Sequence, residues 1–151
     1  MSNPSIALVS PKYRRNLGAV IRAASCFGAD RVWYTGNRVD LAPGERIPRE
    51  ERMKEYSDIE LIKDDRFFDR LPKDVIPVAV EILPGAECMI DFIHPEKALY
   101  VFGPEDGSIP PVFRRHCKRF VTIPTKHCTN LAAAVYITLY DRAFKASKVM
   151  H

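Results

Sequence analysis

The chain has 151 residues, 46% of them hydrophobic and 28% charged, which is typical of one globular domain. Its net charge of +4 permits a nucleic-acid partner without requiring one, and its four cysteines have neither C-x-x-C nor zinc-finger spacing. We therefore expect reduced thiols in a cytoplasmic protein, with no bound metal, no signal peptide and no membrane-spanning segment.

Short apolar runs alternate with helical patterns along the whole chain. The predicted strands are 5–10, 31–35, 59–63, 75–83, 98–103 and 119–124. Pro77 lies in the fourth of these, so we expect that strand to start late. The predicted helices are 17–28, 48–55, 65–71, 87–93, 111–117 and 130–147. This alternation predicts a single α/β domain over residues 1–151, with a parallel sheet that carries helices on both faces.

The last predicted helix is apolar on nearly every side through its first turns, with the sequence LAAAVYITLYDRAF (131–144). A helix of this kind must be covered all round. The sheet can cover one face, and a second copy of the chain would cover the other. We therefore predict a homodimer through this helix, and an unusually deep core helix is the alternative.

The first predicted helix, 17–28, begins with residues that its packing does not need. Gly18 stands in the first turn, where glycine costs up to about 1 kcal/mol against alanine, and Arg22 lies off the apolar stripe. Asn16 is a good N-cap, and that role alone would explain it.

Positive charges precede two of the predicted helix N-termini. Lys12, Arg14 and Arg15 come before the first helix, and Lys126 and His127 come before the last. A helix N-terminus attracts anions through its free N–H groups and its dipole, so the first group would suit a phosphate. A solvated loop remains the alternative for these residues, and His127 is expected to be a surface residue rather than a catalyst.

Polar residues also follow two of the predicted strands directly. The strand at 98–103 ends in Gly103, and Glu105 and Asp106 come next. The strand at 119–124 leads through a short polar loop to Asn130, which is expected to cap the last helix. Ligands of open α/β sheets bind at the carboxyl ends of strands, so these loops are candidate site segments.

Taken together, three stretches resemble, in order, the motifs of the SpoU/TrmH family of the SPOUT superfamily of RNA methyltransferases. The matching residues are 16–22 (NLGAVIR) with 27–29 (FGA), then 102–105 (FGPE) with Pro110, then 123–124 (IP) with 128–131 (CTNL) and Tyr140. The resemblance covers nearly the whole chain, and it retains Asn130, the most telling position of the third motif.

The chain departs from the family pattern in each motif. Residues 13–15 are additional before the first motif, and Ser108 stands where the second motif usually has glycine. In the third motif, Cys128 and Thr129 replace serine and leucine. A thiol is a weaker hydrogen-bond donor than a hydroxyl, so the change at Cys128 bears on substrate contact.

The resemblance implies a fold and a cofactor. The family fold is a parallel sheet with a C-terminal trefoil (α/β) knot, and the proteins are homodimers. The family binds S-adenosylmethionine in the knot, with adenine held by main-chain groups. Carried over to this sequence, the cofactor site would include Leu83, Gly103, Ile123 and Leu131.

The resemblance also implies the reaction, which is methyl transfer to a ribose 2′-hydroxyl of RNA. The family assigns the proton transfer to the arginine of the first motif, which is Arg22 here. Arginine is a poor base in water, so Arg22 would act either as the base or as a stabiliser of the developing oxyanion. Asn16 and Asn130 would orient Arg22 and the ribose, and Glu105 would hold this network in register. No metal is needed.

With no separate RNA-binding extension, the domain would bind RNA on its own surface. The candidate RNA-binding residues are Lys12, Arg14, Arg15, Arg114, Arg115, Lys118, Arg119 and Lys126. Minimal relatives modify tRNA, so we expect tRNA rather than rRNA. A catalytically inactive protein that binds RNA or cofactor and a base-methylating SPOUT enzyme are the alternatives.

Overall fold

The computed structural model describes residues 1–40 and 59–150, and within these seven parallel strands form one sheet. The strands are β1 (Ser5–Leu8), β2 (Arg31–Tyr34), β3 (Glu60–Lys63), β4 (Ile76–Val80), β5 (Glu87–Cys88), β6 (Ala98–Phe102) and β7 (Arg119–Thr122). Their order across the sheet is β3-β2-β1-β6-β4-β7-β5, and every neighbouring pair is parallel. The predicted α/β class is confirmed.

Helices cover both faces of the sheet. They are α1 (Arg14–Phe27), α2 (Pro111–Arg114) and α3 (Leu131–Met150), with short 3-10 helices at Phe67–Arg70 and Met89–Asp91. Alternate residues along β1 enter opposite cores. Ile6 and Leu8 pack with α1 and α3, whereas Ala7, and Val9 directly after the strand, pack towards Phe67 and Phe113. Central strands that are buried on both faces explain the continuous apolar runs of the sequence.

Most of the predicted elements are confirmed, with ends that shift by a few residues. The last helix was predicted at 130–147, and it begins at Leu131 and ends at Met150. The segment predicted as a short helix at 65–71 forms a 3-10 turn. The helix predicted at 48–55 lies outside the described residues.

The helix predicted at 87–93 is wrong. The chain forms the two-residue strand β5, which pairs with β7 at the edge of the sheet, and then the 3-10 turn Met89–Asp91. The Lys145 Nζ donates to the carbonyl oxygens of Met89 (2.6 Å) and Phe92 (2.9 Å). A side chain from α3 therefore satisfies carbonyl groups that a helix would have bonded internally.

Strand β4 does not start late, because Pro77 lies inside it. Pro77 pairs with Leu99 of β6, and on the other side its carbonyl oxygen accepts from the Lys118 N–H at 2.8 Å. The pairing between β4 and β7 begins only at Val78. The missing N–H of proline therefore falls just before that ladder starts, where no partner is lost.

A buried polar cluster joins the second half of α3 to the amino ends of β1 and β6. The Arg142 guanidinium donates to the Tyr100 hydroxyl and to the carbonyl oxygens of Ser2, Pro95 and Glu96. His94 lies between the Tyr100 hydroxyl and the Asp141 carboxylate, at 2.6 Å from each. Burial lowers the pKa of His94 although Asp141 acts in the opposite direction. This cluster anchors the second half of α3 to the segments that precede β1 and β6.

None of the described helices combines the length and the apolar character that crossing a membrane requires.

Candidate active site

Three of the sequence-predicted site residues, Asn16, Glu105 and Asn130, meet at the carboxyl edge of the four central strands. Asn16 lies in the first turn of α1, which follows β1, and Glu105 and Asn130 lie in the loops that follow β6 and β7. The loop that follows β4 borders the same place. In a parallel sheet these loops leave from one edge, which is why residues far apart in sequence come together.

Glu105 is the hub of the site. Its Oε1 accepts from the backbone N–H of Lys12 at 2.9 Å, and its Oε2 accepts from the backbone N–H of Tyr13 at 3.0 Å. The Asn16 Nδ2 also donates to Oε2, at 2.9 Å. An ionised carboxylate only accepts hydrogen bonds, so it suits this convergence of three N–H donors.

Asn16 links Glu105 to the start of α3. The Asn130 Nδ2 donates to the Asn16 Oδ1 at 3.1 Å, while the Asn130 Oδ1 accepts from the Ala133 N–H at 3.1 Å. Asn130 is therefore the N-cap that the sequence predicts, and it also joins the two motifs. The Asn16–Glu105–Asn130 network, as we call these three residues, connects all three sequence motifs.

Asn16 is not the N-cap of α1, contrary to one of the two roles considered above. The helix begins two residues earlier, at Arg14, and Tyr13 is the extended residue before it. Glu105 binds the Lys12 and Tyr13 N–H groups and so fixes the entry to the helix. Asn16 thus stands within the first turn, buried, with its side chain directed to the network.

The pKa of Glu105 is lowered from its ordinary value. Burial by itself raises the pKa of this carboxyl, but the hydrogen bonds from Asn16 and from the Lys12 and Tyr13 backbone stabilise the ionised form more strongly. Glu105 is therefore a fixed negative charge that holds donors, and it is poorly suited to release a proton near pH 7.

A cleft of about 310 Å³ opens beside this network. Gly103, Ile123 and Leu131, three of the four predicted cofactor residues, line it. A Cβ on Gly103 would lie 2.9 Å from the Ile109 backbone nitrogen, so only glycine lets the loop after β6 fold back this tightly. The remaining lining residues are Val80, Glu81, Ile82, Phe102, Pro104, Glu105, Gly107, Ser108, Thr125, Cys128, Thr129 and Ala134.

The fourth predicted cofactor residue, Leu83, does not line the cleft. Strand β4 ends at Val80, so Val80, Glu81 and Ile82 face the cleft instead. Leu83 lines a neighbouring depression together with Arg114 and Arg115. The sequence analysis missed Val80, Glu81 and Ile82 because it placed the end of this strand at residue 83. The end of a strand was nevertheless the correct signal for the site.

The residues that depart from the family pattern also border the cleft. Ser108, Cys128 and Thr129 all line it. These substitutions therefore change the walls of the candidate site rather than a remote surface.

Arg22 is not part of the Asn16–Glu105–Asn130 network. It lies on the exposed side of α1, close enough to Tyr136 of α3 for its charge to act on that residue. Burial raises the pKa of Tyr136, and the charge of Arg22 opposes this rise. The Arg22 side chain makes no hydrogen bond and no ion pair within the described residues. Its guanidinium is therefore available to a substrate or to another chain.

Several candidate RNA-binding cations are already engaged within the molecule. The Arg119 guanidinium donates twice to Glu87, at 2.8 and 3.0 Å, and this pairing raises the pKa of Arg119. The Lys12 Nζ lies 3.7 Å from the Asp106 carboxylate, and Arg14 donates to the Asp40 carbonyl oxygen. These side chains would have to leave their present partners to bind a phosphate closely.

Other candidate cations remain open to solvent. The Arg15 guanidinium lies 4.9 Å from the centre of the Tyr13 ring, and Arg114 and Arg115 border the depression beside Leu83. Lys118 and Lys126 are exposed and have no ion pair with the described part of the chain.

Arg38 is a residue of the site that the sequence reasoning missed. It donates to both oxygens of Asp106, at 2.8 and 3.1 Å, and to the Ser10 carbonyl oxygen. These bonds tie the loop after β6 to the loop after β1, and they lower the pKa of Asp106. No local signal in the sequence marks Arg38, because its partners are distant.

Groups of three or more histidine, cysteine, aspartate or glutamate side chains that could hold a metal ion do not occur in ranges 1–40 and 59–150.

Comparison with known families gives one match of nearly full length. The model of the SpoU rRNA Methylase family matches residues 3–140. Comparison with curated protein sequences gives no match.

Solved structures share the fold at low sequence identity. A structure described as giving insights into the 2-OH methylation of C/U34 on tRNA is 20% identical, with a TM-score of 0.82 over 96% of this chain and 97% of that chain. The A. aeolicus TrmH/SpoU tRNA modifying enzyme is 15% identical, with a TM-score of 0.81 over 98% and 77%. AviRb from Streptomyces viridochromogenes, solved in complex with the cofactor AdoMet, is 18% identical with a TM-score of 0.78, and this chain spans 57% of it.

Proposed function

Because the chain belongs to the SpoU rRNA Methylase family, we propose that it transfers a methyl group from S-adenosylmethionine to a ribose 2′-hydroxyl of RNA. The observation that carries this proposal is the Asn16–Glu105–Asn130 network at the rim of the 310 Å³ cleft. It brings one polar residue from each of the three sequence motifs to the place where a parallel sheet binds ligands.

The volume of the cleft and the character of its walls support this assignment of the cofactor. Its volume lies within the usual range for small-molecule sites, and Val80, Ile123 and Leu131 give it an apolar lining. The tight loop after Gly103 would present its main-chain groups to the adenine, as the family resemblance implies. When bound there, S-adenosylmethionine supplies an electrophilic methyl group.

The residues of this chain then have to position the ribose and deal with the proton of its hydroxyl. Asn16 and Asn130 hold the start of α1 and the start of α3 together, and Glu105 fixes the loop between them. Arg22 either takes the proton as the ribose oxygen attacks, for which its side chain must first be the neutral guanidine, or stabilises as a guanidinium the negative charge that develops on that oxygen. Both roles need an Arg22 side chain that is not paired within the protein, and among the described residues it has no such partner.

We also propose a homodimer through α3. Ile137, Tyr140 and Phe144 follow one another at helical spacing on α3 and are 38%, 60% and 46% exposed. Tyr140 and Phe144 stack with ring centres 6.2 Å apart, which makes a continuous apolar surface. Arg22 lies near this surface, beside Tyr136, so dimerisation would bring Arg22 towards the partner's chain.

The proposed substrate is tRNA rather than rRNA. One of the structures with the same fold concerns the methylation of C/U34 on tRNA, and it matches this chain over nearly the full length of both. The open cations Arg15, Arg114, Arg115, Lys118 and Lys126 would contact the phosphates of the RNA.

The test is methyl transfer from labelled S-adenosylmethionine to total tRNA and, separately, to rRNA, followed by nucleoside mass spectrometry. We expect a 2′-O-methylated nucleoside from tRNA. A methylated base would contradict the ribose assignment, and label in rRNA alone would contradict the choice of tRNA. Cofactor binding without transfer to either RNA would indicate a binding protein.

A further inference from the structure

Glu81 has one carboxylate oxygen that the protein leaves unused. The residue directly follows β4, where its backbone N–H donates to the Val121 carbonyl oxygen at 3.0 Å. Its Oε1 accepts from the Ile109 N–H at 2.9 Å. Its Oε2 is buried from solvent and has no hydrogen-bond partner among the described residues.

An unpartnered carboxylate oxygen in this position is costly. Leaving a buried acceptor unsatisfied costs about 1–3 kcal/mol, and more when the group is charged. The bond to Ile109 orients the carboxylate in this position. The neighbouring Cys117 thiol, whose pKa burial and the charge of Glu81 raise to about 12, donates to the Phe113 carbonyl oxygen instead.

The missing donor can come from the cleft. Glu81 lines it, between the loop after β6, which contains Gly103 and Ser108, and the loop after β7, which contains Ile123. A ligand that fills the cleft would therefore meet the wall in which this carboxylate lies. A hydrogen-bond donor on that ligand would satisfy Oε2 and remove the cost of its burial.

We propose that Glu81 accepts a hydrogen bond from a ribose hydroxyl of S-adenosylmethionine. This inference rests on the cofactor assigned under the proposed function. The cofactor offers a ribose diol and an α-ammonium group as donors. A buried oxygen favours the hydroxyl, because bringing an ammonium ion to the same depth costs far more desolvation. Carboxylates bind ribose hydroxyls in the same way in dinucleotide sites at strand ends.

Substitution of Glu81 by glutamine isolates this bond. Glu81→Gln keeps one oxygen for the Ile109 N–H and replaces the free oxygen with a donor that repels a hydroxyl hydrogen. Binding of S-adenosylhomocysteine and of 5′-methylthioadenosine, which lacks the amino-acid part, is measured by calorimetry. Glu96→Gln, the same change at an exposed glutamate at the other edge of the sheet, is the matched control.

We expect E81Q to bind both ligands at least tenfold more weakly than the wild type, with a melting temperature of the free protein no lower than that of the wild type. E96Q should bind both like the wild type.

Three results would overturn the proposal. Unchanged binding of both ligands by E81Q would mean that Glu81 only anchors Ile109, and weakened binding of S-adenosylhomocysteine alone would identify the ammonium as the donor. Weak binding together with a large fall in melting temperature would indicate a purely structural role. A wild-type protein that binds neither ligand would instead refute the cofactor assignment itself, and a failure of RNA methylation would leave these binding results untouched.

Discussion

Glu105 shows how much one side chain can hold when it accepts from three donors at once. Two of them are backbone N–H groups at the entry to α1, and the third is the amide of Asn16. Neutralising this carboxylate affects a loop, a helix start and the link to α3 together. Glu105 therefore stabilises the structure of the site in addition to any direct contact with a substrate.

We expect Glu105→Gln to lower the free energy of unfolding by about 1–3 kcal/mol, because its amide group must face an N–H donor. The lowered pKa of Glu105 means that its contribution is fully present above the ordinary glutamate value of 4.5 and is lost as pH falls through the folded-state value. Denaturant unfolding across pH 7 to 3 measures this, and E105Q should lose less stability on acidification than the wild type. Equal acid sensitivity of the two proteins would contradict this account.

Arg22 is expected to act on the chemical step rather than on cofactor binding. Arg22→Ala should reduce methyl transfer by about 10²–10⁴-fold, the usual contribution of a positioned proton-transfer group, and should leave the affinity for the cofactor within a few fold. Single-turnover transfer and calorimetric titration separate the two effects. Arg66→Ala, at an exposed arginine that neither lines the cleft nor joins the network, is the control. Retention of most activity by R22A would remove Arg22 from the reaction.

At the scale of elements, the sequence predicted most of the sheet and both long helices. Alternate burial on two cores produces the apolar runs of β1, β4 and β6, and these runs are visible locally. The three site motifs were also found, because each follows a strand or starts a helix. Periodicity alone, however, could not indicate which of these elements lie next to each other.

The errors have one physical cause, which is a partner that is distant in sequence. Glu105 fixes the entry to α1, which makes Asn16 an internal residue of that helix. Lys145 binds carbonyl oxygens of the segment 87–93, which was expected to form a helix. The strand end at Val80 was misplaced for a related reason, since the pairing with β7 decides it. The C-terminal trefoil knot that the family resemblance implies stays a prediction.

The start of α3 offers a way to separate helix capping from the link between motifs. Asn130→Asp keeps an oxygen for the Ala133 N–H but removes the donor to Asn16, whereas Asn130→Ala removes both. We expect N130A to lose about 0.5–2 kcal/mol of stability and N130D to retain most of it. Thermal unfolding measures these effects.

Methyl transfer should fall in both Asn130 variants if the link to Asn16 is needed. A fully active N130D protein would show that capping alone accounts for Asn130.

At the scale of the whole molecule, the proposed dimer is the feature that bears most on activity. Tyr140→Glu places a charge in the centre of the exposed surface of α3 and should convert the protein to monomers, as light scattering or sedimentation can measure. Because Arg22 lies near the same surface, methyl transfer should be lost as well. Val112→Glu, at an exposed apolar residue of α2, should stay dimeric, and a Tyr140→Glu protein that remains dimeric would contradict the interface.

The bonds that join the site span most of the chain. Asn16 and Glu105 are 89 positions apart, and Asn16 and Asn130 are 114 positions apart. Closing loops of this length is entropically costly, and folds with many such contacts form slowly. During refolding, the local helices α1 and α3 can therefore appear early, while the network that joins them must wait until both ends of the chain have met. The return of ligand binding would mark the end of folding rather than its beginning.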